Sequence, residues 1–412
     1  MHGVVLAASG AAVTDAFVEL GAVVLVLAVL ARLSHRVGLS PVPLYLLAGL
    51  VVGANGILPI RAAEGFAEIG AEIGVLLLLF TLGLEFTPRE LTGALRRGAR
   101  SGVVDLVLNA TPGVLLGLVL GWSPVAAVLL GGVTYISSSG VVSKLLDDLG
   151  RLGNRETPAV LSVLVLEDLA MVVLLPVLGV LLSGASLGDG AVDVVVAIGV
   201  VVVVLFLATR FGGHLSRAVH SGSDEVLLLT VVGLVLLVGG LVQRLDVSSA
   251  VGAFLVGIAL SGPVQERAAA LVNPLRDLFA AVFFFVFALN VDAGALPPVL
   301  VPALALAAVG VVTKVLTGWY AAGREGVGPD GRWRAGTALV ARGEFSIVIA
   351  GFGVVAGVEP DLGPLAAAYV LVMAVAGSLL ARGRRAPARL RIGIGRPGAD
   401  NLKKSVKAQD PL

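Results

Sequence analysis

Two adjacent carboxylates, Glu167 and Asp168, interrupt an apolar stretch that opens with Thr157-Pro158. A threonine cap followed by proline in the first turn predicts that a helix begins at Thr157. Eight apolar or small residues lie between this start and the pair, which places the carboxylates near the middle of a membrane-spanning helix. Adjacent helical residues point about 100° apart, so one carboxylate can line a cavity while the other meets a different partner.

Two carboxylates this close in a low-dielectric environment repel each other, and binding a proton or a small cation relieves that repulsion. A site that binds either ion, but not both well, has the minimum chemistry of cation/proton exchange. We therefore predict that Asp168 is an ion-binding and proton-binding residue, and we include Glu167 in the site. The alternative is a structural pair that is neutralised by basic neighbours.

Three further charges, Lys314, Arg342 and Glu344, lie deep in apolar segments, where a charge costs on the order of 3 kcal/mol. We predict that Lys314 is the charge partner of the carboxylate pair, with Glu167 favoured, although a lysine can also extend to the membrane interface. Arg342 and Glu344 are expected to compensate the partial charges of broken helix ends. For these two residues a structural role is as well supported as a role in transport.

Five acidic residues lie nearer the predicted helix ends. Glu85 and Asp292 are interpreted as boundary residues that bond to neighbouring loops. The sequence assigns no role to Glu19, Glu72 or Asp105.

The composition predicts an all-α polytopic membrane protein. Of 412 residues, 57% are apolar and 14% are charged, and mean hydropathy is +1.01, whereas a soluble domain carries about 25% charge. Intrinsic disorder and nucleic-acid binding are therefore excluded. With no cysteine and four histidines, we predict no disulfide, no resident metal and no cofactor. Thirteen apolar stretches predict transmembrane helices, at about 17–35, 40–56, 66–86, 101–121, 124–147, 157–183, 191–211, 224–243, 247–262, 274–291, 296–321, 335–358 and 362–381.

Basic residues predict the orientation of these spans. Of 29 Lys and Arg residues, 25 fall on one side of the predicted membrane and two on the other. Because basic loops stay in the cytoplasm, we expect the N-terminus outside, the C-terminus inside, and a location in the cytoplasmic (inner) membrane. Residues 383–412 are expected to form a short, disordered basic tail. A G-x-G-x-x-G pattern at 393–398 lacks the strand, helix and distant acidic residue of a nucleotide site.

An internal repeat divides the predicted single transmembrane domain, residues 1–382. LFTLGLEFT (79–87) aligns with VFALNVDAG (286–294) at an offset of 207 residues. This offset corresponds to seven helices, an odd number, so the second copy would enter the membrane from the opposite side. Inverted repeats of this kind are common in secondary transporters. Repeat one would cover about 17–183, a linker helix 191–211, and repeat two about 224–381.

The same offset aligns the two most polar span interiors, GVTYISSSGVV (132–142) and LVARGEFSIVI (339–349). Serine and glycine are poor helix formers, so both spans are predicted to unwind near mid-membrane and line a cavity. The alternative is two continuous helices packed through small residues. Hydroxyl groups in the first segment are predicted to replace part of a cation's hydration shell: Thr134, Ser137, Ser138 and Ser139.

Five segments resemble the cation:proton antiporters of the Kef potassium-efflux and NapA-type sodium class over roughly residues 15–382. In chain order they are GVLLLLFTLGLEF (74–86), YISSSGVVSKLL (135–146), VLEDLAMVVLLP (165–176), VVTKVLTG (311–318) and ARGEFSIVIA (341–350). The resemblance implies an NhaA-like, thirteen-helix homodimer with two crossed broken helices and a core that moves like an elevator. It matches the family's ion-binding Asp to Asp168 and its core Lys to Lys314.

The Glu167-Asp168 pair differs from the Asp-Asp pair of the sodium type and the Gln-Asp pair of Kef members. Together with ARGEFS, it is most similar to potassium/proton antiporters that work with a separate TrkA-C-like regulatory subunit. We therefore expect proton-coupled exchange of a monovalent cation, with K⁺ favoured. The alternatives are a Na⁺/H⁺ antiporter of the same fold, a sodium-coupled organic-anion symporter and a channel. An enzyme is disfavoured because no catalytic motif stands in a convincing context.

Overall fold

The computed structural model describes residues 2–37, 40–52, 64–85, 88–182, 199, 215–244 and 249–383, and within these ranges every regular element is helical. The main α-helices are α1 (His2–Val37), α2 (Val42–Val52), α3 (Glu64–Leu84), α4 (Pro88–Val119), α5 (Pro124–Tyr135), α6 (Ser139–Asp148), α7 (Thr157–Leu182), α8 (Asp224–Gln243), α9 (Ser249–Ala259), α10 (Pro263–Leu289), α11 (Leu296–Arg324), α12 (Pro329–Ala338), α13 (Glu344–Val355) and α14 (Leu362–Gly383).

Several helices are suited to a lipid environment. Among the described residues, seven helical segments are long and apolar enough to cross a membrane, and three shorter apolar helices accompany them. Large apolar side chains also lie on the outside, including Phe17, Leu229 and Val301, which are 71%, 65% and 75% exposed. Because a soluble protein rarely exposes large contiguous apolar patches, these faces fit lipid, and the chain is a multi-pass helical membrane protein.

Several helices begin earlier than their predicted spans, and α4 and α10 show one reason. The structure starts α4 at Pro88 and α10 at Pro263, whereas hydropathy placed the span starts at 101 and 274. Hydropathy marks the apolar part of a helix, and the first turns of these two helices are polar but continue the same hydrogen-bonded helix. The predicted seventh span (191–211), apart from Gly199, and the tail beyond Gly383 lie outside the described residues.

The helices pack into two groups. The first group contains α1, α2, α3, α8, α9 and α10, and the second contains α4 to α7 and α11 to α14. In the first group, α3 and α9 cross where two glycines meet. A Cβ on Gly83 would lie 2.3 Å from the Phe254 carbonyl oxygen, and a Cβ on Gly257 would lie 2.3 Å from that of Phe80. Because glycine has no side chain, Gly83 and Gly257 permit the two helices to cross this closely.

The second group contains two interrupted helices whose breaks touch. Residues 136–138 separate α5 from α6, and residues 339–343 separate α12 from α13. The Ser138 N–H donates to the Ala341 carbonyl at 3.0 Å, so the extended segments bond to each other instead of to their own helices. A Cβ on Gly343 would lie 2.6 Å from Ser138 Oγ, which explains why glycine occupies this crossing.

Candidate ion-binding site

Glu167 and Asp168 lie near the middle of α7, and their side chains are 1% and 3% exposed. The helix directs them to different neighbours. Glu167 faces the α5–α6 interruption and Lys314 of α11, whereas Asp168 faces Ser139 at the start of α6. The adjacent carboxylates therefore belong to two different environments.

The Glu167 carboxylate is surrounded by donors. Lys314 Nζ lies 2.7 Å and Ser137 Oγ lies 3.0 Å from Oε1, and the Ser137 backbone N–H donates to Oε2. The interruption makes the last contact possible, because a residue inside a continuous helix would donate its N–H to its own helix. Lys314 is fully buried, and its Nζ also lies 5.6 Å from the centre of the Tyr135 ring.

A third carboxylate, Asp105 of α4, joins this ion pair. Asp105 Oδ1 lies 2.8 Å from Lys314 Nζ and 2.9 Å from Asn109 Nδ2. Asn109 also reaches α11, where its amide contacts the hydroxyl groups of Thr313 and Thr317 at 2.8 and 3.1 Å. Sequence reasoning gave Asp105 no role. Its presence inside an apolar span, one helical turn before Asn109, was the available signal.

Asp168 is connected to an open cavity through Ser139. Ser139 Oγ lies 3.2 Å from Asp168 Oδ2, and Ser139 also lines a cavity of about 600 Å³. Glu85, Glu344 and Arg276 line the same cavity, which lies between the two helix groups. Of the four hydroxyl groups predicted near the ion, that of Ser139 is the one within hydrogen-bonding distance of Asp168.

Arg342 is fully buried among carbonyl oxygens at the helix interruptions. Its Nη2 donates to the Thr134 carbonyl at 2.8 Å, and its Nη1 donates to the Leu339 and Val340 carbonyls at 3.2 Å each. These carbonyls lie at the C-terminal ends of α5 and α12, where helices carry partial negative charge. The Thr134 hydroxyl points elsewhere and donates to a backbone carbonyl of α4 at 2.8 Å.

The remaining candidates lie apart from this network or at its edge. Ser138 Oγ donates to Glu344 Oε2 at 2.7 Å. Asp292 is exposed, and its carboxylate accepts a bond from the Gly294 N–H at 2.8 Å. Glu72 is exposed and Glu19 is half-buried. Among the described residues, no group of three or more acidic or histidine side chains is arranged to hold a resident metal ion.

Comparison with known proteins identifies the family. The model of the family described as "Sodium/hydrogen exchanger, transmembrane" matches residues 22–382, and the chain belongs to this family of membrane transporters. It is 31% identical to the K(+)/H(+) antiporter subunit KhtU of Bacillus subtilis, over 88% of this chain and 92% of that protein. It is 30% identical to the ammonium/H(+) antiporter subunit AmhT of Alkalihalophilus pseudofirmus, over 87% of this chain and 91% of that protein.

The fold is also similar to a solved structure, the sodium proton antiporter MjNhaP1 of Methanocaldococcus jannaschii. The TM-score is 0.70 at 14% identity, over 90% of this chain and 96% of that one. The chain thus belongs to a family of cation/proton antiporters and shares the fold of MjNhaP1, and the relatives named here are transporters.

Proposed function

We propose that this protein exchanges K⁺ for protons across the cytoplasmic membrane by alternating access, and that Asp168 holds the two ions in turn. The observation that carries this proposal is the position of Asp168, a 3% exposed carboxylate whose bonding partner Ser139 lines an open cavity. A buried carboxylate without a basic partner needs a cation or a proton to be neutralised. The two ions compete for it, and competition couples their movements.

The surrounding residues divide the other tasks. Ser139, Ser138 and the carbonyl groups of residues 136–138 supply oxygen atoms that replace water around the cation. Glu167 and Lys314 form a neutral pair beside the site, so that Asp168 carries the exchangeable charge. Arg342 and Glu344 balance the ends of the interrupted helices. This exchange requires no cofactor and no resident metal.

K⁺ is favoured over Na⁺ because of the relatives' substrates. Two relatives that match most of the chain are named for K⁺ and for ammonium, two monovalent cations of similar size. Na⁺ is the alternative ion, since MjNhaP1 is named as a sodium proton antiporter. An organic-anion symporter has less support. Arg342 is the residue that would bind the anion, but its Nη1 and Nη2 donate to protein carbonyls.

The symmetry of the packing supports an inverted repeat and alternating access. The α3–α9 crossing joins one helix of each proposed repeat, and each glycine contacts the backbone of the opposite helix. The cavity lies between the two helix groups on the side of Arg276, which is the predicted cytoplasmic side. We further propose that two copies form the homodimer, and that a separate TrkA-C-like subunit regulates them.

Purified protein in liposomes with a trapped pH-sensitive dye tests the exchange directly. K⁺, Na⁺, NH₄⁺ and Li⁺ would be added in turn to wild type, Asp168→Asn and Asp361→Asn, a matched change of an exposed loop aspartate. We expect a dye response to K⁺ that is lost in Asp168→Asn and kept in Asp361→Asn. Normal exchange by Asp168→Asn would contradict the assignment of Asp168 as the ion-binding residue. A response to Na⁺ alone would leave the exchange mechanism intact but show that K⁺ is not the transported ion.

A further inference from the structure

Three buried charged side chains from three helices meet next to Asp168, and one of them is the adjacent residue Glu167. Lys314 Nζ of α11 lies 2.8 Å from Asp105 Oδ1 of α4 and 2.7 Å from Glu167 Oε1 of α7. The side chains of Lys314 and Asp105 are 0% exposed, and that of Glu167 is 1% exposed. We call these three residues the lysine cluster. One ammonium is shared by two carboxylates in a region that water does not reach.

The charges of the lysine cluster do not balance when all three groups are ionised. Two carboxylates and one ammonium leave a net charge of −1, and an uncompensated charge inside a membrane protein is costly. Among the described neighbours, Tyr135 contributes a neutral ring and Asp168 adds a third carboxylate. Arg342 is a nearby buried cation, and its Nη1 lies 3.5 Å from Ser137 Oγ. Its Nη1 and Nη2 also bond to carbonyls at the helix ends, whose partial negative charge it offsets.

The two carboxylates differ in how well they are solvated by the protein. Glu167 is contacted on both oxygens, by Lys314 and Ser137 Oγ at Oε1 and by the Ser137 N–H at Oε2. Asp105 has both of its contacts, Lys314 and Asn109, on Oδ1. Its other oxygen, Oδ2, is buried and has no hydrogen-bond partner among the described residues. An anion is stabilised by donors around it, so Glu167 is the better-stabilised carboxylate.

We propose that Asp105 is a second proton-binding site, and that its Oδ2 carries a proton at neutral pH while Glu167 stays ionised. The lysine cluster is then neutral, and Oδ1 of Asp105 still accepts the bonds of Lys314 and Asn109. Through Lys314, Asp105 acts as a positioning residue for Glu167. This proton is separate from the one exchanged at Asp168, and its presence does not depend on which cation the protein transports.

Infrared spectroscopy detects this proton without any transport assay. The detergent-solubilised Asp168→Asn protein at neutral pH is expected to show the C=O stretch of a protonated carboxyl. The band should shift when the chain is made by cell-free synthesis with aspartate carrying ¹³C at its side-chain carboxyl. It should disappear in Asp168→Asn/Asp105→Asn. Absence of the band, or a shift with ¹³C-labelled glutamate instead, would overturn the proposal.

The pH dependence of thermal unfolding provides a second test, with opposite signs for the two charge states. If folded Asp105 keeps its proton above the ordinary Asp pKa of about 4, raising the pH from there to neutrality destabilises wild type relative to Asp105→Asn. If Asp105 is instead ionised and stabilised by Lys314, the same pH change stabilises wild type relative to Asp105→Asn. A midpoint difference that stays constant or moves in favour of wild type contradicts the proposal.

Discussion

At the residue scale, three consecutive serines bind three different carboxylates. Ser137 contacts Glu167, Ser138 contacts Glu344 and Ser139 contacts Asp168, at 3.0, 2.7 and 3.2 Å between oxygen atoms. Glu167 and Asp168 belong to α7 and Glu344 belongs to α13, so the serines face two helices. Successive side chains of an extended segment point to opposite sides, which directs Ser138 away from Ser137. The unwound backbone is therefore what allows a short polar sequence to organise both buried and accessible acidic groups.

Ser139→Ala should weaken cation binding without abolishing exchange. A hydrogen bond of this kind contributes about 0.5–1.5 kcal/mol, so the cation concentration for half-maximal dye response should rise about 2- to 10-fold. Ser143→Ala is the matched control, because Ser143 lines the same cavity one helical turn further along α6 and does not contact Asp168 in the described network. Unchanged affinity in Ser139→Ala would remove Ser139 from the proposed ion pathway.

At the element scale, an ion pair ties the beginning of α7 to the interrupted helix α12. Arg334 Nε and Nη2 donate to the Glu156 carboxylate at 2.5 and 3.1 Å. Burial raises the pKa of Glu156, but hydrogen bonds from Arg334 and Asn154 outweigh it and hold the pKa below its usual range. The same bonds raise the pKa of Arg334. The helix that carries both carboxylates is thus fixed at its N-terminal end to the second interrupted helix.

Glu156→Gln should lower the thermal unfolding midpoint, because it leaves the Arg334 guanidinium without its charged partner, at a cost of about 1–3 kcal/mol. Since the Glu156 pKa is lower in the folded state, its stabilisation is present above the unfolded pKa of about 4.3 and is lost as pH falls through the folded value. The difference between wild type and variant should therefore vanish in acid. Glu325→Gln, at an exposed acidic residue after α11, is the control. An equal effect of both variants would contradict the assigned role.

At the scale of the whole molecule, the cavity separates two helix groups that touch at its edge. His35 of α1 and Lys144 of α6 are in side-chain contact across this boundary. If alternating access moves one group against the other, joining these two residues should stop the exchange. The chain contains no cysteine, so pairs of engineered thiols can be studied without a background reaction.

A short bis-thiol reagent applied to His35→Cys/Lys144→Cys should abolish exchange, and cleavage of the link should restore it. The control pair, Ser216→Cys/Ser261→Cys, joins a residue that precedes α8 to a residue that follows α9, and their hydroxyl oxygens lie 3.3 Å apart. We expect exchange to continue when this pair is linked. Undiminished exchange in the linked His35/Lys144 variant would rule out relative movement of the two groups at this boundary.

Local rules in the sequence determined where the spans run, where two of them break and which charges lie deep in the membrane. Apolar runs, the Ser137–Ser139 triplet and the Glu167-Asp168 pair each act through neighbouring residues, so they are visible in the sequence. The tertiary structure decided which further groups meet beyond the Lys314–Glu167 pair that the sequence suggested. Asp105 and Lys314 are 209 positions apart, and no periodicity predicts their contact or the cavity beside Ser139. Such contacts depend on how the helices pack in three dimensions, and the sequence of one helix does not specify which helices pack against it.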